Sequence, residues 1–245
     1  MFAHEKLHVY AKAVEFTAKA IAWTSVWNKK HALVDHLSRA TESILLNLAQ
    51  AARLRGIPAR LQTLDYAIGS SLECAGCLDV ARIKELLTVQ ECQGEKRLLC
   101  EITRMLIGLR KGWSHSMGRE EPPDYRAVTP ESVSGSLFHH ESLAVYLEAL
   151  GFMEWFVSFP ATKEPTHRLF RQIDEAATGI VLNIAEGNGR YAELDHQRFL
   201  NIAQSASVKA AVYLDLVGQQ GLLAAKDTNK GKEKLWSIGA MLAGF

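Results

Sequence analysis

The sequence predicts an all-α protein, built as two tandem antiparallel up-down four-helix bundles. Three observations carry that expectation. Shifted by 136 residues, the chain lies on itself without a gap, residues 4–109 on residues 140–245, and 28 of those 106 pairs are identical. A single period of that length means two copies of one domain, not a solenoid of short repeats. Apolar residues step by threes and fours through both copies, and no stretch of useful length alternates as a strand does.

The elements follow in order. In copy one the pattern places helices near residues 3–26, 29–54, 59–86 and 93–111. In copy two it places them near 139–158, 164–187, 193–222 and 230–244. In the second helix Leu33, Leu37, Ala40, Ile44 and Asn47 form a ladder, repeated by Leu169, Ile173, Ala176, Ile180 and Asn183. In the third, Leu64, Ala67, Ser71, Ala75 and Leu78 are echoed by Leu200, Ala203, Ser207, Ala211 and Leu214. Such seams belong to antiparallel bundle helices joined by short connections. Gly56-Ile-Pro58 and Glu186-Gly-Asn-Gly189 punctuate the second and third helices. Phe159-Pro160 and Glu164-Pro165 stop and restart the chain in copy two. Residues 112–137 carry no stripe but hold Pro122, Pro123, Pro130 and a Ser/Gly cluster. They form the linker between residues 1–111 and 138–245, with Trp113 and Tyr125 placed to pin it to a bundle.

Composition excludes several classes. Hydrophobic residues are 48% and charged residues 22%, enough for two cores and unlike a disordered chain. Net charge is +1; residues 1–135 hold 18 Lys+Arg against 15 Asp+Glu, and residues 136–245 hold 10 against 12. That balance gives no whole-surface field for nucleic acid, only room for a local patch. The opening residues lack a secretory pattern, no apolar run reaches membrane-span length, and four cysteines confined to copy one make no disulfide framework. The expectation is a cytoplasmic protein with reduced thiols.

One copy tests each candidate site in the other. Asn47 and Asn183, and Ser71 and Ser207, recur on the seam and read as structural polar residues of the core. Cys74 and Cys77, with Cys92 and Cys100 as further ligands, would suit zinc. Their partners Ala210, Tyr213, Thr228 and Trp236 make packing the better reading. Glu193-x-x-His196 has the spacing of di-iron bundles, but no second such motif accompanies it in copy two. No metal and no cofactor is expected. Arg53, Arg55 and Arg60 cluster at the turn between the second and third helices, and Arg190, His196 and Arg198 at the same end of copy two. Arginines beside a helix N-terminus suit phosphate, in contacts that ignore base sequence and weaken with salt.

The wording Ile180-Val-Leu-Asn183-Ile-Ala-Glu186-Gly187-Asn-Gly-Arg190, followed by Arg198-Phe199-Leu200-x-x-Ala203, resembles a family of small four-helix bundles. That family includes the proteins encoded in intervening sequences of bacterial 23S ribosomal RNA genes and the accessory variability proteins of diversity-generating retroelements. Copy one resembles it in Ala67-Ile-Gly69-Ser70-Ser71-Leu72-Glu73. Each copy keeps what the other lacks: Gln50-Ala51 stands for Glu186-Gly187, and Ser205-Ala-Ser-Val-Lys209 stands for Gly69 to Glu73. Typical members are single bundles. The resemblance implies a non-enzymatic homo-oligomer, since members form pentameric rings, and retroelement members bind a reverse transcriptase and nucleic acid through basic surfaces. The expected function is an oligomerising accessory protein offering a basic bundle end, Arg53, Arg55, Arg60, Arg190 and Arg198, to RNA, DNA or a nucleic-acid enzyme, with no membrane. A protein–protein scaffold without nucleic acid is the alternative, and a di-iron or thiol enzyme a third.

Overall fold

In copy one the chain enters through a 3-10 turn, His4–Lys6, and then runs through α1 (His8–Val26), α2 (Ala32–Arg53), α3 (Ile57–Ile83) and α4 (Val89–His115). Copy two repeats this with a 3-10 turn, His139–Ser142, then α5 (Ala144–Val157), a single turn α6 (Pro160–Lys163), α7 (Arg168–Asn188), α8 (Glu193–Gln219) and α9 (Ala225–Leu242). The computed structural model describes residues 2–115, 136–163 and 167–244. The described residues form helices and turns and no strand.

Within each copy successive helices pack on one another, and the first packs on the last: α1 on α4, α5 on α9. That closes two four-helix bundles. The seam is the one the spacing predicts: Leu33, Leu37, Ile44, Leu64, Ala67 and Leu78 are buried, and so are Leu169, Ile173, Ile180, Leu200, Ala203 and Leu214. Leu99, Ile102 and Leu106 match Leu235, Ile238 and Leu242 in the last helices. Equivalent residues therefore sit in equivalent cores.

Boundaries differ from the sequence reading at identifiable places. Chain entry is broken at Leu7, whose extended backbone (φ −90°, ψ 122°) separates the 3-10 turn from α1. Helix α4 starts earlier than residue 93, at a capping box: Glu91 N–H donates to Thr88 Oγ1 (3.2 Å) while Thr88 N–H donates to Glu91 Oε2 (2.8 Å). It also runs to His115, so residues 112–115 are helix. Trp113 lies under the Arg60 guanidinium, 3.6 Å from the ring centroid, as a pin. Tyr125 and the rest of the expected linker lie outside the described residues.

The bundles do not stand apart. Helix α3 of copy one packs on α7 of copy two, α7 also touches α2, and α5 touches α3. The buried apolar residues of both copies form one contiguous cluster. Helix α3 is consequently buried almost all round from Thr63 to Ile83, whereas its counterpart α8 buries only one stripe. The contact is between unlike elements, a third helix against a second helix.

Candidate functional site

The sequence-derived wording converges on this joint. The end of α7 and the turn after it carry Glu186-Gly187-Asn188-Gly189-Arg190, α3 carries Gly69-Ser-Ser-Leu-Glu73, and the two face each other. A Cβ on Gly189 would lie 3.1 Å from the Gly69 Cα, and one on Gly76 would lie 3.1 Å from Leu182 and 3.4 Å from Ala185. The glycines let two backbones approach closely. Arg190 then lies across the joint. It pairs with Glu186, reaches the Asp65 carbonyl at 3.5 Å, and sits over the rings of Phe199 (4.6 Å) and Tyr66 (5.1 Å). Its side chain is 6% exposed. Glu186, its side chain 15% exposed, faces Glu73, which lies 3.1 Å from His36 Nδ1. Burial first, and the Glu73 carboxylate second, push Glu186 up to about 7, although Arg190 pulls the other way. At the far end of the same contact Lys84 pairs with Asp174, which also accepts from Ala32 N–H at 3.4 Å.

A second polar cluster locks the chain's entry into copy two onto the α3–α4 groove. Lys96 Nζ lies 2.8 Å from Asp79 Oδ1 and pairs with Glu141, and the Tyr146 hydroxyl donates to Asp79 Oδ2 at 2.9 Å. Phe138 and His140 stack with centroids 5.6 Å apart, and His140 meets Tyr146 edge-on at 4.7 Å. All three rings are fully buried. Neither His140 ring nitrogen has a hydrogen-bond partner among the described residues, and burial, with Lys96 next in weight, holds its pKa well below the usual histidine value. Burial works against the Lys96 ammonium, yet Asp79 and Glu141 outweigh it and keep its pKa raised. Asp79, His140 and Glu141 are close enough to share a metal ion, but the Lys96 ammonium already sits between the carboxylates.

The proposed arginines divide. Arg53 and Arg55 are exposed at the end of α2 and in the turn after it, and Arg198 is exposed on the first turns of α8. Arg60 donates to the Ala51 carbonyl at 3.2 Å and covers Trp113, and Arg190 is committed to the joint. The turns α2–α3 and α7–α8 lie at one end of the molecule, where Pro58, Tyr66, Arg190 and Asp195 share a cleft. Glu193 and Asp195, in the first turn of α8, add negative charge there.

The remaining candidates have structural partners. Asn47 and Asn183 donate back to the carbonyls of Ser43 (2.8 Å) and Gly179 (2.7 Å). Ser71 and Ser207 bond to Ile68 and Gln204 (both 2.7 Å), and Ser71 also to Thr103 (2.8 Å). His196 Nδ1 lies 2.8 Å from the Gly187 carbonyl, and Glu193 accepts from Gln197, so they do not converge on a shared ion. All four cysteines are buried. Burial pushes Cys74 and Cys77 well up and Cys92 to about 11, which suits packing thiols rather than nucleophiles. Sequence reasoning missed Glu73 facing Glu186, and missed the Asp79–Lys96–Glu141–Tyr146 cluster. The signal for the cluster was available: all four types recur at the matched positions Asp215, Lys232, Glu5 and Tyr10.

Fold and joint define a tandem of four-helix bundles whose signature residues hold bundle to bundle. The profile of the 23S rRNA-intervening sequence protein family matches the chain twice, over residues 5–108 and 141–244. The chain belongs to that family, as a tandem duplication. No curated protein and no solved structure matches it. No helix among the described residues is long and apolar enough to cross a membrane.

Proposed function

We propose that this protein is a non-catalytic, oligomerising accessory protein that offers one bundle end to nucleic acid or to an enzyme acting on it. The observation that carries the reading is the exposure of Arg53, Arg55 and Arg198 at the one end where both copies turn from second helix to third. The N-terminus of α3, which has no side-chain cap, lies at the same end and favours anions. Membership of an rRNA-associated family supports the same partner class. Such contacts bind phosphate without reading bases, and the nearby Glu193 and Asp195 keep them weak.

Labelled RNA and DNA titrated at low and moderate salt test this. Binding should weaken steeply with salt. The triple variant Arg53→Glu, Arg55→Glu, Arg198→Glu should lower the log–log salt slope by roughly 2–3, near 0.7–0.9 per lost phosphate contact. No binding at low salt, or an unchanged slope in the variant, refutes the nucleic-acid half of the proposal. The scaffold reading then stands, favoured by a net charge of +1 and by the exposed apolar residues Ile202, Val208, Val212 and Leu216 on α8.

A further inference from the structure

The internal joint uses one face of each bundle and leaves its counterpart on the other bundle uncovered. In copy one the α3–α4 groove is filled by the chain's entry into copy two: Phe138 is 0% exposed, Tyr146 bonds Asp79, and Glu141 pairs with Lys96. In copy two the equivalent α8–α9 groove is open, at about 760 Å³. Val208, Val212, Asp215, Lys232 and Trp236 line it, and Trp236 is 77% exposed. Its wall already holds the same ion pair, exposed here, with Lys232 Nζ 2.6 Å from Asp215 Oδ1.

The counterpart of the filling segment is also uncovered. Phe2, His4, Glu5 and Tyr10 match Phe138, His140, Glu141 and Tyr146 in identity. They match in shape as well. Phe2 stacks on His4 at 5.7 Å, His4 meets Tyr10 edge-on at 4.6 Å, and Glu5 accepts from Phe2 N–H at 2.5 Å as Glu141 does from Phe138 N–H at 3.3 Å. Yet Phe2 is 72% exposed where Phe138 is 0% exposed, and Glu5 is exposed where Glu141 is half-buried. A plug is preformed at one end of the chain, and a socket of matching charge stands open at the other.

We propose that residues 2–10 of one chain seat in the α8–α9 groove of a second copy, with Glu5 on Lys232 and the Tyr10 hydroxyl on Asp215. This rests on the oligomer reading above and names its interface. The contact joins unlike faces, so it runs head to tail and propagates from chain to chain. It is weaker than the internal joint. Val212 and Ser205 stand for Gly76 and Gly69, and Arg53 for Gly189, so α2 of one chain cannot approach α8 of the next as closely as α7 approaches α3. Ser38 and Gln220 stand for Asp174 and Lys84, which removes the buried ion pair. Aromatic anchors ringed by a charge pair carry what remains, the composition of a binding hot spot.

Sedimentation of the full chain over a wide concentration range tests the proposal. The mass should rise above 27.2 kDa with concentration. Phe2→Ser, Lys232→Glu and Glu5→Lys each alter exposed side chains, so helicity by circular dichroism should be retained. Each should weaken association about tenfold or more, the scale for losing one interfacial anchor or charge partner. Glu5→Lys combined with Lys232→Glu should recover much of it. Association that none of these changes alters overturns this joint and leaves oligomerisation through another face. A chain monomeric at every concentration overturns both this joint and the oligomer reading. Unaltered association together with weaker RNA retention in Lys232→Glu assigns the groove to nucleic acid and overturns the plug.

Discussion

Glu186 shows how one buried carboxylate couples the joint to pH. Its pKa stands at about 7 when folded against an ordinary carboxyl value of 4.5, so the folded chain holds that proton more tightly than the unfolded chain does. The stability it contributes is complete below about pH 4.5 and fades as pH rises through 7, by at most about 3 kcal/mol. His140 acts in the opposite sense. Its depressed folded pKa means that stability is lost as pH falls below the ordinary histidine value of 6.5. A bare pH–stability curve blends the two. The difference between wild type and Glu186→Gln separates them: wild type should lose stability relative to the variant between about pH 5 and pH 8. A flat difference would show that Glu186 titrates normally. None of this was legible from Glu186 itself, because a carboxylate's pKa is set by what faces it, and Glu73 stands 113 positions away in the chain.

At the scale of elements, the turn after the third helix compares two solutions to one problem. In both copies the chain reverses through a left-handed residue, Glu85 (φ 59°) in copy one and Gly221 (φ 67°) in copy two. In both, the next N–H closes the motif, Leu86 on Ala81 at 2.9 Å and Leu222 on Val217 at 3.0 Å. Glycine takes that conformation without the Cβ clash that glutamate carries. Glu85→Gly should therefore raise stability by about 0.5–1 kcal/mol in chemical denaturation, and a loss would mean that Glu85's own interactions outweigh the strain. The helices themselves were readable because a bundle seam imposes its period on the sequence. The start of α4 was readable too, in Thr88-x-x-Glu91, but a cap is a short signal beside a long stripe. What α3 would pack on was only half legible. Its run of Ala, Gly, Ser, Cys and Leu from Ala67 to Leu78 announces a helix buried on every side, but periodicity within one helix does not name the partner.

For the molecule as a whole, the sharing of α3 and α7 decides how it unfolds. One apolar cluster runs through both copies, with the Lys84–Asp174 pair and the Lys96 cluster tying them. Calorimetry should record a single transition with matching calorimetric and van't Hoff enthalpies. Two separable transitions would mean that the bundles fold independently. The shared contact also accounts for the uneven family wording. The second-helix signature survives in copy two and the third-helix signature in copy one because those two faces meet inside the chain. Among the candidate arginines the sequence placed all five at one end of the molecule. It could not separate Arg190, spent on the joint, from Arg53, Arg55 and Arg198, because exposure depends on how one bundle lies against the other.

That permanent pairing sets an arithmetic on anything these chains build. Residues 4–245 bring bundles two at a time, so whatever this tandem builds contains an even number of them from that source. A ring of five such bundles is closed to the tandem, unless one bundle is left idle outside the circle.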